Sequence, residues 1–218
     1  MPADSTHPPA LLITAGPTHE PIDAVRYIAN RSSGRLGVAL ADAAASRGWP
    51  TTLLLGPTPR EPAHTDVNLI RFQTADDLQV LLQQHLPTCD VLVMAAAVAD
   101  FRPRAGADPH TKVRRSESGL SLELEATPDL LAMCAGRRRP GQVLVGFALE
   151  PRDRLLASAR DKLRRKGVDA IVANPLETMD ADTIEAVVVT AQGETQAPAM
   201  DKRDFAPWLL DEVVRLRR

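Results

Sequence analysis

Apolar positions along the chain fall into short runs, separated by stretches with helical spacing. Residues 11–15 (LLITA) form a continuous apolar run stopped by Gly16, the pattern of a strand buried on both faces. Residues 34–47 carry small and apolar side chains at helical spacing and end at Gly48, a candidate C-cap. Strands are predicted over 51–55, stopped by Gly56-Pro57, and over 67–72. An amphipathic helix over 75–86 places Leu78, Leu81 and Leu82 on one face and is closed by Pro87. A long apolar run over 90–98 reads as another buried strand. Leu120, Leu122 and Leu124 alternate with polar residues, which predicts a half-exposed strand. Thr127-Pro128-Asp129 opens a short helix, with Pro128 expected in its first turn. Strand 143–149 and helix 153–166 follow, then late strands at 169–173 and 186–190 and a terminal helix over 204–218.

Repeated strand–helix–strand units predict an α/β fold: a single Rossmann-like domain over residues 10–218, with a mostly parallel sheet and helices on both faces. Residues 1–9 are polar and Pro-rich and read as a flexible lead. Residues 101–119 have no apolar period and hold two Pro and five Arg or Lys, which predicts a mobile flap.

Composition narrows the function classes. In 218 residues, 26 Lys and Arg against 28 Asp and Glu leave a formal net charge of −2, which gives no support to a nucleic-acid or membrane-surface role. Four Phe, two Trp and one Tyr cannot build a stacking platform for single strands. No apolar run approaches the ~20 residues of a membrane span, and no signal-peptide pattern opens the chain, so a cytoplasmic location is expected. Cys89 and Cys134 lack metal-ligand spacing and read as reduced, buried or semi-buried thiols, and the five scattered His give no zinc pattern.

In open α/β sheets ligands bind beyond the carboxyl ends of the strands, so the connection after the first strand is informative. It is about 18 residues long, against a usual 2–6, and ends in Ser32-Ser33-Gly34 at the start of a helix. Serines there can cap the helix or, with its free N–H groups, bind a phosphate. No GxGxxG is present.

Six collinear segments carry a family resemblance. Residues 13–37 (ITAGPTHEPIDAVRYIANRSSGRLG) and 95–100 (AAAVAD) are the most specific. Lys112-Val113-Arg114-Arg115 is similar to a KxKK flap motif, Thr127-Pro128-Asp129-Leu130-Leu131 to TPDIL, and residues 145–150 to VGFAAE. Lys162, Lys166, Asp169 and residues 171–174 are similar to KxxxKxxDxIVAN. Together they resemble bacterial phosphopantothenoylcysteine synthetase (phosphopantothenate–cysteine ligase), an enzyme of coenzyme A biosynthesis.

The resemblance implies a two-step reaction. The carboxylate of 4′-phosphopantothenate attacks the α-phosphorus of CTP, giving an acyl-cytidylate and pyrophosphate, and the cysteine amine then displaces CMP. Such chemistry asks for positioning and charge neutralisation, not for a protein nucleophile. Mg²⁺ is expected on the nucleotide phosphates, with no dedicated protein ligands. The resemblance further implies a homodimer, and fusion to or association with a flavin-dependent phosphopantothenoylcysteine decarboxylase. Because this chain opens directly on the ligase motifs, no flavin is expected on it.

Carried over residue by residue, the resemblance makes Asn30 and Lys112 the catalytic candidates. Lys112 would contact the triphosphate and shield the intermediate as the flap closes, while read alone it is a solvated surface lysine. Arg114 and Arg115 stand where the family has lysines, which keeps charge but not geometry. Nucleotide contacts are implied for Ser32, Ser33, Gly34, Met94, Ala95, Ala96, Asp100, Pro128, Asp129, Leu130, Leu131, Phe147, Lys162 and Lys166. Phe147 reads equally as a core side chain. Lys162 and Lys166 share one helix face and flank its buried stripe, from where lysines reach a cleft or snorkel to water. Acid-substrate contacts are implied for Arg26, Asn30, Ala97 and Asn174, the last followed by Pro175 where the family often has Asp.

Two other readings are weighed beside this one. A Rossmann-type NAD(P)-dependent reductase needs a compact glycine loop and an acid ending the second strand, but that strand ends Leu54-Leu55-Gly56-Pro57. A non-catalytic nucleotide-binding module would be expected to lose Asn30, Lys112, Lys162 or Lys166, and all four are present.

Overall fold

The structure is a computed structural model that describes residues 7–104, 111–114, 119–179 and 181–217. In chain order the elements are β1 (Leu11–Ala15), β2 (Glu20–Pro21), β3 (Tyr27–Ile28), α1 (Arg35–Ser46), β4 (Thr51–Leu55), β5 (Asn68–Arg71), α2 (Ala75–His85), β6 (Val91–Met94), β7 (Phe101–Pro103), β8 (Leu124–Ala126), α3 (Leu130–Arg137), β9 (Val143–Glu150), α4 (Leu155–Lys166), β10 (Ala170–Pro175), β11 (Thr183–Ile184), β12 (Val187–Thr190), β13 (Glu194–Gln196), β14 (Met200–Asp201) and α5 (Lys202–Leu216). The central sheet has eight strands in the order β13-β12-β10-β9-β6-β1-β4-β5. The six from β10 to β5 are parallel, and β12 and β13 add antiparallel at one edge. The Rossmann-like α/β expectation therefore holds.

Strand residues divide by parity between two cores, as a two-residue period demands. Leu11, Ile13, Leu53, Leu55, Val91, Val93, Val143 and Val145 pack under α1 and α5. Leu12, Leu54, Leu92, Met94 and Leu144 pack under α2, α3 and α4. Burial on both faces is why these strands read as unbroken apolar runs. Thr74 caps α2 in a reciprocal capping box with Asp77, which fixes where that helix begins. Cys89 and Cys134 are free and buried, and burial pushes both thiols up to about 12. Among the described residues no helix is long and apolar enough to cross a membrane.

Four sequence expectations are corrected. The strand expected over 90–98 ends at Met94, where the register with β9 stops at Gly146; beyond it only the β1 side is held, by the N–H groups of Ala95 and Ala97 on the carbonyls of Thr14 and Gly16. Phe101–Pro103 is a strand, β7, not flap: it pairs antiparallel with β8, and Arg102 bridges Glu125 (2.9 Å) and Asp76 (2.7 Å). The rest of the expected flap is described only at Arg104, at 111–114 and at Gly119; residues 105–110 and 115–118 lie outside the described residues, as do residues 1–6 of the expected lead. The strand expected at 120–124 is β8 at 124–126, with Leu120, Leu122 and Leu124 all exposed, so their alternation faces no core of this chain. Pro128 lies before the first turn of α3, since Asp129 is its N-cap and accepts from the Ala132 N–H.

Helix α1 lies close on β1 through Gly37. A Cβ built there would stand 2.3 Å from the Ala15 Cβ, far inside contact distance. Gly37→Ala should push α1 off the sheet and destabilise the protein by about 1–3 kcal/mol. Thermal melting checks this, with an expected fall in Tm of roughly 2–12 °C; an unchanged Tm would show that the helix is free to shift.

Candidate functional site

Strand order reverses at β1: β4 and β5 lie to one side of it, β6, β9 and β10 to the other. At such a switch the outgoing chains diverge and leave a crevice at the carboxyl ends. Here that crevice is a cavity of about 1070 Å³, walled by the end of the β1–α1 connection, the segment after β6, the start of α3, the end of β9, α4 and the end of β10. The expected long connection after β1 is not featureless, because residues 20–21 and 27–28 pair as the hairpin β2–β3.

Its floor is built from backbone. Thr14 Oγ1 accepts from the Ala96 N–H (3.2 Å), Thr18 Oγ1 accepts from the Ala99 N–H (3.0 Å), and Pro17 bridges Ala97. Thr127 Oγ1 donates to the Ala99 carbonyl. Small side chains at 95–97 let this segment lie against β1. Asn30 Nδ2 donates to the Val98 carbonyl (2.8 Å), which ties the end of the long connection to the same floor.

The N-terminus of α1 forms a second wall. Its N-cap is Gly34 at φ 69°, a left-handed conformation that favours glycine, and no side chain caps the helix. Ser32 Oγ and Ser33 Oγ accept from the N–H groups of Gly34 and Arg35 in local turns (3.3 and 3.4 Å). The serines thus do not cap the helix in the ordinary sense, and Leu36 and Gly37 at the start of α1 line the cavity, a place where helix N–H groups suit an anion.

The third wall is cationic. Lys162 Nζ donates to the Phe147 carbonyl (2.6 Å), and Lys166 Nζ pairs with Asp129. Desolvation lowers the pKa of both lysines; Arg165 adds to the effect at Lys162, and Asp100 opposes it at both. Asp100 is exposed at the end of the floor, and Asp129, Glu150 and Asp161 also line the cavity, so the two amines share this space with several carboxylates. Phe147 is half-buried: it lines the cavity and also packs against the core beneath α1. Among the described residues no three His, Cys, Asp or Glu side chains gather as a metal cluster.

Of the residues singled out in the sequence, the cavity brings together Asn30, Ser32, Ser33, Gly34, Met94, Ala95, Ala96, Ala97, Asp100, Pro128, Asp129, Leu130, Leu131, Phe147, Lys162, Lys166 and Asn174. Arg26 and Lys112 are not among its lining residues. Arg26 is engaged elsewhere: its Nη1 pairs with Asp23 (2.8 Å), and its guanidinium donates to the Val113 carbonyl (3.4–3.5 Å). Buried Asp23 also accepts from the N–H groups of Val25, Arg26 and Val113. The Val25 N–H is the main cause of its lowered pKa. Lys112, exposed, directly precedes the Val113 held by this pair. Sequence reasoning missed Thr14, Thr18, Thr178 and Lys202. Thr14 carried a signal, a hydroxyl within a buried apolar run, whereas Thr18, Thr178 and Lys202 had none.

The chain is 41% identical over 217 residues to the coenzyme A biosynthesis bifunctional protein CoaBC of Mycobacterium tuberculosis, covering 94% of this chain and 51% of that protein. It is 35% identical over 213 residues to CoaBC of Bacillus subtilis, covering 95% and 52%. The chain thus spans about half the length of these relatives. A crystal structure of the C-terminal domain of CoaBC superposes with a TM-score of 0.82 at 31% identity, covering 98% of each chain. Residues 7–216 match the family described as the DNA/pantothenate metabolism flavoprotein C-terminal domain, and the chain belongs to that family.

Proposed function

We propose that this chain is a phosphopantothenate–cysteine ligase that uses CTP. One observation carries the reading: a neutral amide (Asn30), an uncapped helix N-terminus and the paired lysines Lys162 and Lys166 converge on one cavity at the strand-order switch. A solved Cab2 mutant in complex with phosphopantothenate-cysteine shares the fold, with a TM-score of 0.81 at 19% identity.

In the first step a carboxylate oxygen of phosphopantothenate attacks the α-phosphorus of CTP. The bond from that phosphorus to the β-phosphate oxygen breaks, and pyrophosphate leaves. Lys162, Lys166 and the α1 N–H groups neutralise charge on the phosphates, which is the main catalytic requirement of such a transfer. In the second step the cysteine amine attacks the acyl carbon, the carbon–oxygen bond to CMP breaks, and the amine gives up a proton. Asn30, held through its Nδ2 on Val98, keeps its oxygen for the reacting acid. Mg²⁺ would ride on the triphosphate as a charge-neutralising Lewis acid, with Asp100 the carboxylate at hand. Lys112 stands outside the cavity wall and would contact the triphosphate in the ligand-bound enzyme. In a homodimer the exposed face of Leu120, Leu122 and Leu124 meets a second copy, since an apolar alternation with no core behind it suits an interface.

Three measurements test these statements. Phosphopantothenate with CTP should release pyrophosphate, and added cysteine should then release CMP; no pyrophosphate with either CTP or ATP would sink the ligase reading, and faster release with ATP would overturn the nucleotide choice. Lys112→Gln should lower kcat about 100-fold, while its Tm stays within about 1–2 °C, as for an ordinary surface change. A large fall in Tm would make Lys112 structural. Leu122→Glu should shift the sedimentation coefficient from dimer to monomer, and an unchanged dimer would remove this face from the interface.

A further inference from the structure

One wall of the cavity lies at and beyond the end of β10. It is formed by Asn174, Thr178, Met179, Ile184 and Lys202. Lys202 is buried, and its Nζ donates to the carbonyls of Thr178 (3.1 Å) and Ala181 (2.7 Å), so the turn after β10 is tied to the start of α5. Buried Thr178 donates its single hydroxyl proton to the Pro175 carbonyl at 2.7 Å. Toward Asn174 that oxygen can therefore only accept, and Asn174 Nδ2 donates to it at 2.9 Å. The direction of one hydroxyl thus decides which way the amide faces: nitrogen to Thr178, oxygen away. Among the described residues no buried side-chain oxygen or nitrogen lacks a partner, yet Asn174 Oδ1 takes no protein donor, so it opens on the cavity that Asn174 lines.

We infer that Thr178 is a positioning residue that fixes Asn174 as a hydrogen-bond acceptor, and that Asn174 receives an O–H or N–H of the organic acid rather than a group of the nucleotide. The inference rests on the ligase reading and deepens it. The charge on this wall argues for the acid. Phosphates are drawn to Lys162, Lys166 and the α1 N-terminus, whereas the Lys202 ammonium here is buried and held by two backbone carbonyls, against the one Phe147 carbonyl on Lys162. What remains is a neutral acceptor beside Met179 and Ile184. That pairing suits a branched aliphatic chain bearing hydroxyl and amide groups, the non-phosphate part of phosphopantothenate. A donor-rich ligand gains a bond there, and an acceptor facing Oδ1 is repelled.

The test uses Thr178→Val in the full chain, which removes the hydroxyl at nearly constant volume and leaves the Lys202 tie to the backbone in place. Its KM for phosphopantothenate should rise about five- to tenfold, the worth of one neutral hydrogen bond, with kcat and the KM for CTP within about twofold of the parent. Thr178→Ser should restore the parent KM. Asn174→Ala should raise the same KM, and the double variant Asn174→Ala with Thr178→Val should be no worse than Asn174→Ala alone. An unchanged KM for the acid, an equal rise in the KM for CTP, additive effects in the double variant, or failure of the serine variant to restore would each overturn the inference while leaving the ligase reading intact. An unsubstituted protein that neither turns over nor binds phosphopantothenate by calorimetry would overturn both.

Discussion

The cavity depends on how the backbone leaves β1. Strands β1 and β6 run side by side in parallel register, and past their ends the two chains stay joined for a few residues before they part. The join is made of hydrogen bonds, not side-chain packing: Ala95 and Ala97 N–H groups go to carbonyls of Thr14 and Gly16, and threonine hydroxyls take Ala96 and Ala99. Each of these donors would otherwise be an unsatisfied group at a buried or half-buried position. Once they are satisfied, the floor is a fixed strip of backbone with no bulky side chain above it. The helix α1 can then approach β1 only as closely as Gly37 allows, and its uncapped N-terminus faces the space above the strip.

The fold was largely legible because the strands are buried on both faces, and burial leaves a run of Leu, Val and Ile that needs no partner to be recognised. Helices were legible where a stripe and a cap coincide, as at Thr74 and Asp77. Legibility failed where a segment is held by bonds to distant backbone. The 95–98 segment has strand-like composition but pairs with the chain after β1, so its apolar letters mislead. Residues 101–103 are polar enough to read as loop, yet they find a partner over twenty residues on through Arg102 and Glu125. At the site, motif similarity identified the wall residues. It gave no hint that Arg26 is committed to Asp23 and Val113, because that depends on a buried carboxylate whose burial is set by tertiary packing. Lys202 was invisible for the converse reason: a lysine at a helix start is expected in water, whereas here it is buried and donates to the carbonyls of Thr178 and Ala181, which help to make its burial tolerable.

The cationic wall shows what such a site does to stability. Lys162 and Lys166 have lowered pKa values, first because they are desolvated. A lysine whose folded-state pKa lies below its unfolded value, ~10.4, is charged in both states at neutral pH, and the folded state there bears the full cost of burying the charge. That cost is relieved only as pH rises through the folded and then the unfolded pKa, so these two lysines make the protein less stable at neutral pH than a neutral pair would. Asp100 and the Asp129 contact offset part of it, which accounts for carboxylates in a cavity otherwise suited to anions. A polyanion that enters between the amines reverses the balance, because it restores to the ammonium groups the electrostatic partners they lost with their water. On the ligase reading, the lowered pKa values and the proposed binding of phosphate then have one cause. Charges held away from solvent are unfavourable alone and strongly favourable when paired, so the wall lowers the stability of the free protein in the same measure as it prepares it for a charged ligand.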